Sequence, residues 1–154
     1  SDTELCEKME KILGTAACMM GFAKDLKDAT DNSPAVPKVG FVTVPKSYTD
    51  ISGEQIQAED MDICARVISV FKCHKAIPLT AASATAVAAA LPGSVVQKVM
   101  AAGTSTENVR IGHPSGIMTM CPEIEQDGDE IKVPSVGVQR TARRIMDGTV
   151  YIRK

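Results

Sequence analysis

Apolar residues recur at every third or fourth position over the first segment of the chain, Thr3 to Lys27. Leu5, Met9 and Leu13 illustrate this spacing, which is typical of an amphipathic helix. Gly14 lies inside the pattern, and a glycine within a helix costs roughly 1 kcal/mol relative to alanine. We therefore expect either a bend at Gly14 or the close approach of another backbone.

Two later segments have the pattern of strands. Lys38 to Pro45 is rich in β-branched and aromatic residues, and Asp62 to Phe71 alternates between two faces. For the second segment, a helix with Arg66 pointing outward is the alternative. Before the first strand, Asp28 to Pro37 is predicted to form a loop. Between the two strands, Lys46 to Glu59 is predicted to be rich in turns.

Alanine dominates the next element. Seven of the ten residues from Ala81 to Ala90 are alanine. Thr80 is predicted to cap this helix by accepting a hydrogen bond from the Ser83 amide, and the Pro92-Gly93 pair is predicted to end it. Because its side chains are so small, surrounding strands can enclose the helix closely.

A short helix is predicted over Ser94 to Met100, and the pattern then changes to short β-type runs. The Asp-Gly pairs at Asp127-Gly128 and Asp147-Gly148 are strong hairpin signals between such runs. The predicted runs are Asn108 to Ile111, Gly116 to Ile124, Glu130 to Val138, Arg140 to Met146 and Thr149 to Ile152. The sequence therefore predicts an α+β fold that ends in an antiparallel meander.

The length of 154 residues, with 17 basic and 19 acidic side chains, is that of one ordinary globular domain. Three phenylalanines, two tyrosines and no tryptophan, together with a net charge of -2, argue against a nucleic-acid surface. The most apolar stretch, Leu79 to Leu91, is too short for the ~20 apolar residues of a membrane-spanning helix. No signal-peptide pattern opens the sequence, so we expect no membrane association.

Cysteine usage indicates a reducing compartment. The five cysteines are an odd number with no CxxC pair, which is typical of reduced thiols in a cytoplasmic protein. The two histidines, His74 and His113, lie far apart in sequence, and only Cys73 stands beside one of them. No metal site is therefore predicted.

The start of the alanine helix is the first candidate binding site. The first amides of a helix lack internal partners and sit at the positive end of the helix dipole, so a carboxylate can bind there. In this chain the site would comprise Thr80, Ala81, Ala82 and Ser83. The alternative is a capped helix enclosed by a sheet, with no ligand.

A glycine-flanked turn, Gly112-His113-Pro114-Ser115-Gly116, is the second candidate. Glycine on both sides allows exposed amides and the Ser115 hydroxyl to surround an anion. His113 could act as a base or donor near neutral pH. A tight hairpin whose glycines only satisfy the turn geometry is the alternative.

Basic residues supply two further candidates. Arg143 lies in a β-type run with Arg140 and Arg144, and one of these side chains could fork onto a substrate carboxylate. The alternative is that all three are solvated on an edge strand. Lys72, His74 and Lys75 form a small basic cluster that could attract an anion, or simply a charged loop.

Four blocks of sequence, taken together, resemble the PrpF family. The family includes 2-methylaconitate cis-trans isomerase, 3-methylitaconate Δ-isomerase and 4-oxalomesaconate tautomerase. The four blocks are His74-Lys75-Ala76 to Leu79-Thr80, Ala89 to Val96, Val109 to Gly116, and Arg140 to Gly148. Ser33 to Lys38 and Asp62 to Arg66 add support, and the order and spacing match over nearly the whole chain.

The resemblance implies a diaminopimelate-epimerase-like fold, in which a mostly antiparallel, barrel-like sheet wraps around a central helix. Residues 81–91 would form this helix in the second of two similar domains, with the substrate held in the cleft between the domains. Family members are much longer, so we expect this chain to be the C-terminal domain, residues 1–154, without the first domain.

The resemblance also implies an activity. The family moves a proton and a double bond in unsaturated di- and tricarboxylates without a metal or organic cofactor. The lysine and cysteine usually implicated belong to the first domain, so no catalytic residue is assigned here. Substrate carboxylates are expected at Thr80 to Ser83, at His113, Ser115 and Gly116, and at Arg143.

Two other functions stay open. One is a non-enzymatic module of the same fold that binds a small acid or a partner protein. The other is an amino-acid racemase or epimerase, which is disfavoured because Ala81 and Ala82 stand where related epimerases carry a catalytic thiol. The sequence does not fix the substrate or the oligomeric state, and a homo-oligomer is compatible with it.

Overall fold

The computed structural model of the protein describes residues 2–128 and 130–153. Its helices are α1 (Thr3–Met19), α2 (Leu26–Asn32), α3 (Leu79–Ala90) and α4 (Val95–Val99). Its strands are β1 (Val39–Thr43), β2 (Tyr48–Thr49), β3 (Gln55–Ile56), β4 (Ile63–Ser69), β5 (Lys72–Cys73), β6 (Val109–His113), β7 (Gly116–Asp127) and β8 (Glu130–Val138). The predicted α+β class is confirmed.

The first helix is shorter than predicted. Gly21 adopts a φ of +77°, and the Phe22 amide donates to the Ala17 carbonyl at 2.9 Å, a pairing that closes the end of α1. The chain then starts α2, because the Asp25 carboxylate caps the Asp28 amide at 2.8 Å. The predictions of one helix to Lys27 and of a loop from residue 28 were therefore wrong.

Gly14 marks the contact between these two helices. A Cβ at this position would lie 3.0 Å from Leu26 Cδ2 and 3.9 Å from Leu26 Cα. The absence of a side chain lets α2 approach α1 closely, which is one of the two outcomes expected for this glycine.

A six-stranded sheet forms the centre of the molecule, with the order β1-β4-β6-β7-β8 and β5 paired to β4. All neighbouring strands are antiparallel except β4 and β6, which are parallel. The predicted strands at residues 38–45 and 62–71 and the predicted meander of β6, β7 and β8 are confirmed. The helical alternative for residues 62–71 was wrong. Strands β2 and β3 form a separate hairpin.

Strand β4 has one partner on its first edge and two on its second. β1 pairs along the first edge, from Thr43 opposite Cys64 to Val39 opposite Ile68. On the second edge, β6 pairs with the start of β4, and β5 pairs with its end, opposite Ile68 and Ser69. The ends of β5 and β6 consequently meet beside the middle of β4.

Helix α3 packs directly on the concave side of this sheet. Ala82, Ala86 and Ala89 have no exposed surface and contact a core that the sheet supplies. The sheet residues of this core are Ile63, Ala65, Val67, Val109, Ile111 and Met120. The alanine helix is therefore the central helix that the sequence predicts.

The predicted cap of α3 was wrong. Pro78, in an extended conformation with a φ of -60° and a ψ of 138°, is the N-cap, so the helix begins at Leu79 and Thr80 lies inside its first turn. The Ser83 hydroxyl instead donates to the Leu79 carbonyl at 3.0 Å. At the other end the helix stops at Ala90, as the Pro92-Gly93 pair predicts.

The last residues, 139–153, have no regular secondary structure and are exposed. The predicted β-type runs at Arg140 to Met146 and Thr149 to Ile152, and the hairpin at Asp147-Gly148, were therefore wrong. The last ladder pair is Val138 with Met120. A run with β propensity needs a neighbouring strand and a buried face, and the described residues supply neither beyond Gln139.

None of the helices within the described ranges combines the length and the apolar sequence that crossing a bilayer requires. Within the same ranges, no three His, Cys, Asp or Glu side chains converge as a metal site.

An ion pair between a buried carboxylate and a partly exposed arginine joins the start of β4 to β6. The Asp62 carboxylate is 2% exposed and accepts from the Arg110 backbone amide and from Arg110 Nη2, both at 2.7 Å. The Asp62 amide donates to the Arg110 carbonyl at 2.8 Å. This exchange fixes the register of the two parallel strands.

We predict that Asp62→Asn lowers the free energy of unfolding by about 1–3 kcal/mol, because the buried Asp62 side chain loses its charge-assisted hydrogen bonds from Arg110. Glu130→Gln is the control, since its pair with Lys132 is exposed on both sides, and we expect a change within about 0.5 kcal/mol. Urea denaturation followed by circular dichroism measures both. Equal effects of the two substitutions would contradict the assigned role.

Candidate functional site

The glycine-flanked turn is a two-residue hairpin loop. His113 pairs with Gly116 across β6 and β7, and Pro114 and Ser115 form the turn between them. Gly116 has a φ of +115°, a conformation that other residues rarely adopt. The predicted hairpin is therefore confirmed.

Both donors of Ser115 are engaged within the chain. Its amide donates to His113 Nδ1 at 3.2 Å, and its hydroxyl donates to the Lys75 carbonyl. A carboxylate would therefore bind Ser115 only by replacing one of these bonds. The roles of Ser115 and Gly116 as substrate contacts stay predictions.

The bond to Lys75 ties the turn to the start of α3. Lys75 stands four residues before Leu79 in the segment that leads into the helix. The Ala82 amide makes the first intrahelical bond, to the Pro78 carbonyl at 2.9 Å. The amides of Leu79, Thr80 and Ala81 therefore form the free N-terminal end of the helix.

The four residues predicted at this helix end differ in accessibility. Thr80 and Ala81 line an open groove of about 730 Å³ between α3 and the strands β1 and β4. Ala82 is fully buried in the core and its amide is bonded to the Pro78 carbonyl, so it offers a ligand neither a side chain nor a free amide. The Ser83 hydroxyl is occupied by the Leu79 carbonyl. The turn residues lie outside the lining of this groove, and the link between turn and helix runs through Lys75.

His113 is directed to the side of the sheet on which α3 packs. Alternate residues of a strand share a face, and Val109 and Ile111 on the same strand both contact the α3 core. His113 is 5% exposed. Burial lowers the pKa of His113 below its usual value, and the positive charge of Arg66 adds to this effect.

The hydrogen bond to the His113 ring fixes its protonation pattern. Nδ1 accepts the Ser115 amide and is therefore the unprotonated nitrogen of the neutral ring. Nε2 consequently carries the proton. His113 is thus a neutral N–H donor at the pH at which most enzymes work.

His74 lies near His113 on the same face. Its amide donates to the Val67 carbonyl at 2.9 Å, which continues the pairing of β5 with β4. The preceding Cys73 side chain packs with Cys6 and Ile68 on the opposite face, so alternation turns His74 towards α3.

The two histidines flank the same edge of β4. Extending the pairing of β6 and β5 along β4 places His113 beside Ala65 and His74 beside Val67, about 7 Å apart along the strand. His74 Nε2 is buried and has no hydrogen-bond partner within the described part of the chain. The sequence pattern placed His74 in a basic cluster and in one of the blocks that resemble the PrpF family, and it gave no indication of the face that His74 occupies.

Arg143 lies elsewhere. It belongs to the exposed tail at residues 139–153, and no hydrogen bond or ion pair within the described ranges links it to the turn. Its neighbour Arg144 pairs with Asp147 in the same tail. A substrate contact by Arg143 stays a prediction.

We predict that the free energy of unfolding falls as the pH is lowered from 7 towards 5. The pKa of His113 is depressed in the folded state, so the unfolded chain, whose histidine titrates near 6.5, binds the proton first as the pH falls. His113→Gln should reduce this slope. Urea denaturation at several pH values and the proton NMR titration of the His113 ring measure it, and a folded-state pKa above 6.5 would contradict the prediction.

Comparison with known proteins shows the family. The family model described as PrpF protein matches residues 1–153. The 3-methylitaconate isomerase of Eubacterium barkeri is 37% identical over 99% of this chain, and the 2-methyl-aconitate isomerase of Shewanella oneidensis is 38% identical over 100% of this chain. The chain spans only 40% and 38% of the lengths of these two relatives.

A solved structure agrees with these relatives. The crystal structure of a methylitaconate-delta-isomerase superposes with a TM-score of 0.75 and 31% identity, over 88% of this chain and 37% of the other. The fold, the order of the sequence blocks and the relatives converge on one assignment. The chain belongs to the PrpF family.

Proposed function

We propose that this chain is the carboxylate-binding domain of a cofactor-independent isomerase that moves a proton and a double bond in an unsaturated di- or tricarboxylate. The observation that carries the proposal is that His74 and the buried His113 lie on one face of the sheet, while Ser115 of the same turn bonds to the Lys75 carbonyl in the segment that leads into α3. The names of two relatives lead us to propose methylitaconate and 2-methyl-aconitate as candidate substrates.

The proposed reaction requires hydrogen-bond donors near the substrate's carboxylate oxygens more than it requires positively charged side chains. When a proton leaves the carbon next to a conjugated carboxylate, negative charge develops on the carboxylate oxygens. The neutral Nε2–H of His113 and the amides at the start of α3 are oriented dipoles of the kind that stabilise such charge. His74 Nε2, buried without a partner in the described ranges, is a further group that a bound acid could satisfy.

We assign no catalytic base to this chain. Under the proposal the base is supplied by a first domain that closes the other side of the cleft. The chain's own part is to bind and orient the acid and to stabilise the charge that forms. The five cysteines are unpaired, which fits the reducing cytoplasm in which we place the protein.

An amino-acid epimerase is the less favoured alternative. A two-base epimerase needs a proton-transferring side chain on each wall of its cleft. Ala81 and Ala82 at the start of α3 offer no such group, and the Ala82 side chain is buried in the core. A binding module would bind the acid without converting it. The conversion assay described next distinguishes this function from that of an isomerase.

We predict that the complete product of this gene converts 3-methylitaconate or 2-methylaconitate. Proton NMR would follow the loss of the substrate's vinyl or methylene signals and the growth of the isomer's signals. Binding without any conversion or solvent proton exchange would leave the binding module as the function. An absence of both binding and conversion would reject the carboxylate site as well.

In the same assay we expect His113→Phe to lower kcat/KM by roughly 10²-fold, because it removes one donor to developing negative charge. Lys132→Gln is the matched control, since this lysine is exposed on β8, remote from the turn. A circular dichroism spectrum confirms folding. An unchanged kcat/KM in folded His113→Phe would remove this histidine from the site.

A further inference from the structure

Tyr48, which has no part in the site described above, hydrogen-bonds to the hairpin turn that carries His113. We propose that Tyr48 is a positioning residue, whose hydroxyl fixes the turn so that the His113 ring meets the substrate in its donor form. This inference rests on the proposed function for its effect on turnover. Its effect on the His113 ring can be measured independently.

The contacts of Tyr48 converge on the turn. Its hydroxyl oxygen lies 2.6 Å from the His113 carbonyl oxygen and 2.8 Å from that of Gly116, the two residues that close the turn. The neighbouring Ile51 amide donates to the Pro114 carbonyl at 2.8 Å. The β2–β3 hairpin therefore holds three carbonyls of a four-residue turn.

Two carbonyl acceptors at this distance require a protonated phenol. A hydroxyl can donate its proton to either oxygen, whereas a phenolate would repel both. Burial raises the pKa of Tyr48, which agrees with the neutral form. The hydroxyl is thus a permanent donor to the turn over the neutral pH range.

The ring of Tyr48 is itself fixed from the other side. The Arg66 guanidinium lies 4.8 Å from the ring centroid, within the range of a cation–π contact. The same guanidinium donates to the Gly112 carbonyl at 3.1 Å. A Cβ at Gly112 would lie 2.4 Å from Met61 Sδ and 3.4 Å from the Tyr48 hydroxyl, so only glycine lets these groups approach the strand.

The turn is therefore clamped between two separate segments. Tyr48 holds the carbonyls of His113 and Gly116 on one side, and Lys75 holds the Ser115 hydroxyl on the other. The Ser115 amide that selects the His113 tautomer belongs to the same clamped turn. Loss of the Tyr48 contact would loosen that amide and with it the protonation pattern of the ring.

The test is Tyr48→Phe in the complete gene product, which keeps the ring over Arg66 and removes only the hydroxyl. We expect kcat to fall about tenfold with KM changed less than about twofold, because the donor acts mainly on charge that develops during the reaction. Tyr151→Phe is the matched control, since Tyr151, the other tyrosine, is 94% exposed. We expect it to behave as the wild type.

Nitrogen-15 NMR of the His113 ring separates positioning from general destabilisation. In the wild type we expect the pattern of a ring protonated at Nε2, and in Tyr48→Phe a shift towards an average of the two tautomers. Asp62→Asn, which destabilises the fold without touching the turn, should leave the pattern unchanged. A folded Tyr48→Phe protein with wild-type kcat and wild-type ring signals would overturn the proposal.

A titration of the unmodified protein keeps the test valid if the variant does not fold. Added 3-methylitaconate should shift the His113 ring nitrogens and the Tyr48 hydroxyl proton over the same concentration range. A shift at His113 without one at Tyr48 would overturn the positioning role. If neither group shifts, the proposed function fails, and the ligand-free ring signals of the unmodified protein decide the structural claim, which a ring protonated at Nδ1 would overturn.

Discussion

The structure depends on the close contact between an alanine helix and a curved sheet. Large side chains on α3 would hold its axis away from the sheet, but alanine lets the helix backbone come within direct packing distance of β7. An open groove remains between α3 and the strands β1 and β4. The segment that leads into the helix is tied to the β6–β7 turn by the bond from Ser115 to the Lys75 carbonyl.

The second constraint is the division of one strand edge between two partners. β5 and β6 come from distant parts of the sequence and pair with the two ends of the same edge of β4. Their ends must therefore meet. This meeting places His74 beside His113, and it lets Ser115 bond to the carbonyl of the residue that leads towards α3. Pairing of the backbone thus assembles side chains that have no sequence relationship.

The electrostatics of the site follow from which face each residue occupies. Arg66 lies on the far side of β4, where it contacts Tyr48, yet it is near enough to disfavour a second positive charge on His113. Around the turn the described residues therefore supply a neutral ring and backbone dipoles, while Lys38 and Arg66 line the groove beside Thr80 and Ala81. The ion pair between buried Asp62 and partly exposed Arg110 fixes the strands that carry this arrangement.

The amino-acid sequence by itself determined the class of the fold, the central helix, most strands and the family, because periodicity, β-branched runs and ordered sequence blocks are local properties. It failed where local signals compete. Pro78 displaced Thr80 as the helix cap, Gly21 ended α1 early, and the tail at residues 139–153 has strand propensity but no strand beside it.

Only the tertiary structure decided which residues share the candidate site. Contacts between residues far apart in sequence bring His74 near His113 and join Tyr48 to the turn. The tautomer of His113 likewise depends on the folded turn. Local composition does not reveal such contacts. The hydrogen bond from Tyr48 to the His113 carbonyl joins the β2–β3 hairpin to the β6–β7 turn, and His113 lies beside Ala65 because of the register of β6 on β4, a property of the folded chain as a whole.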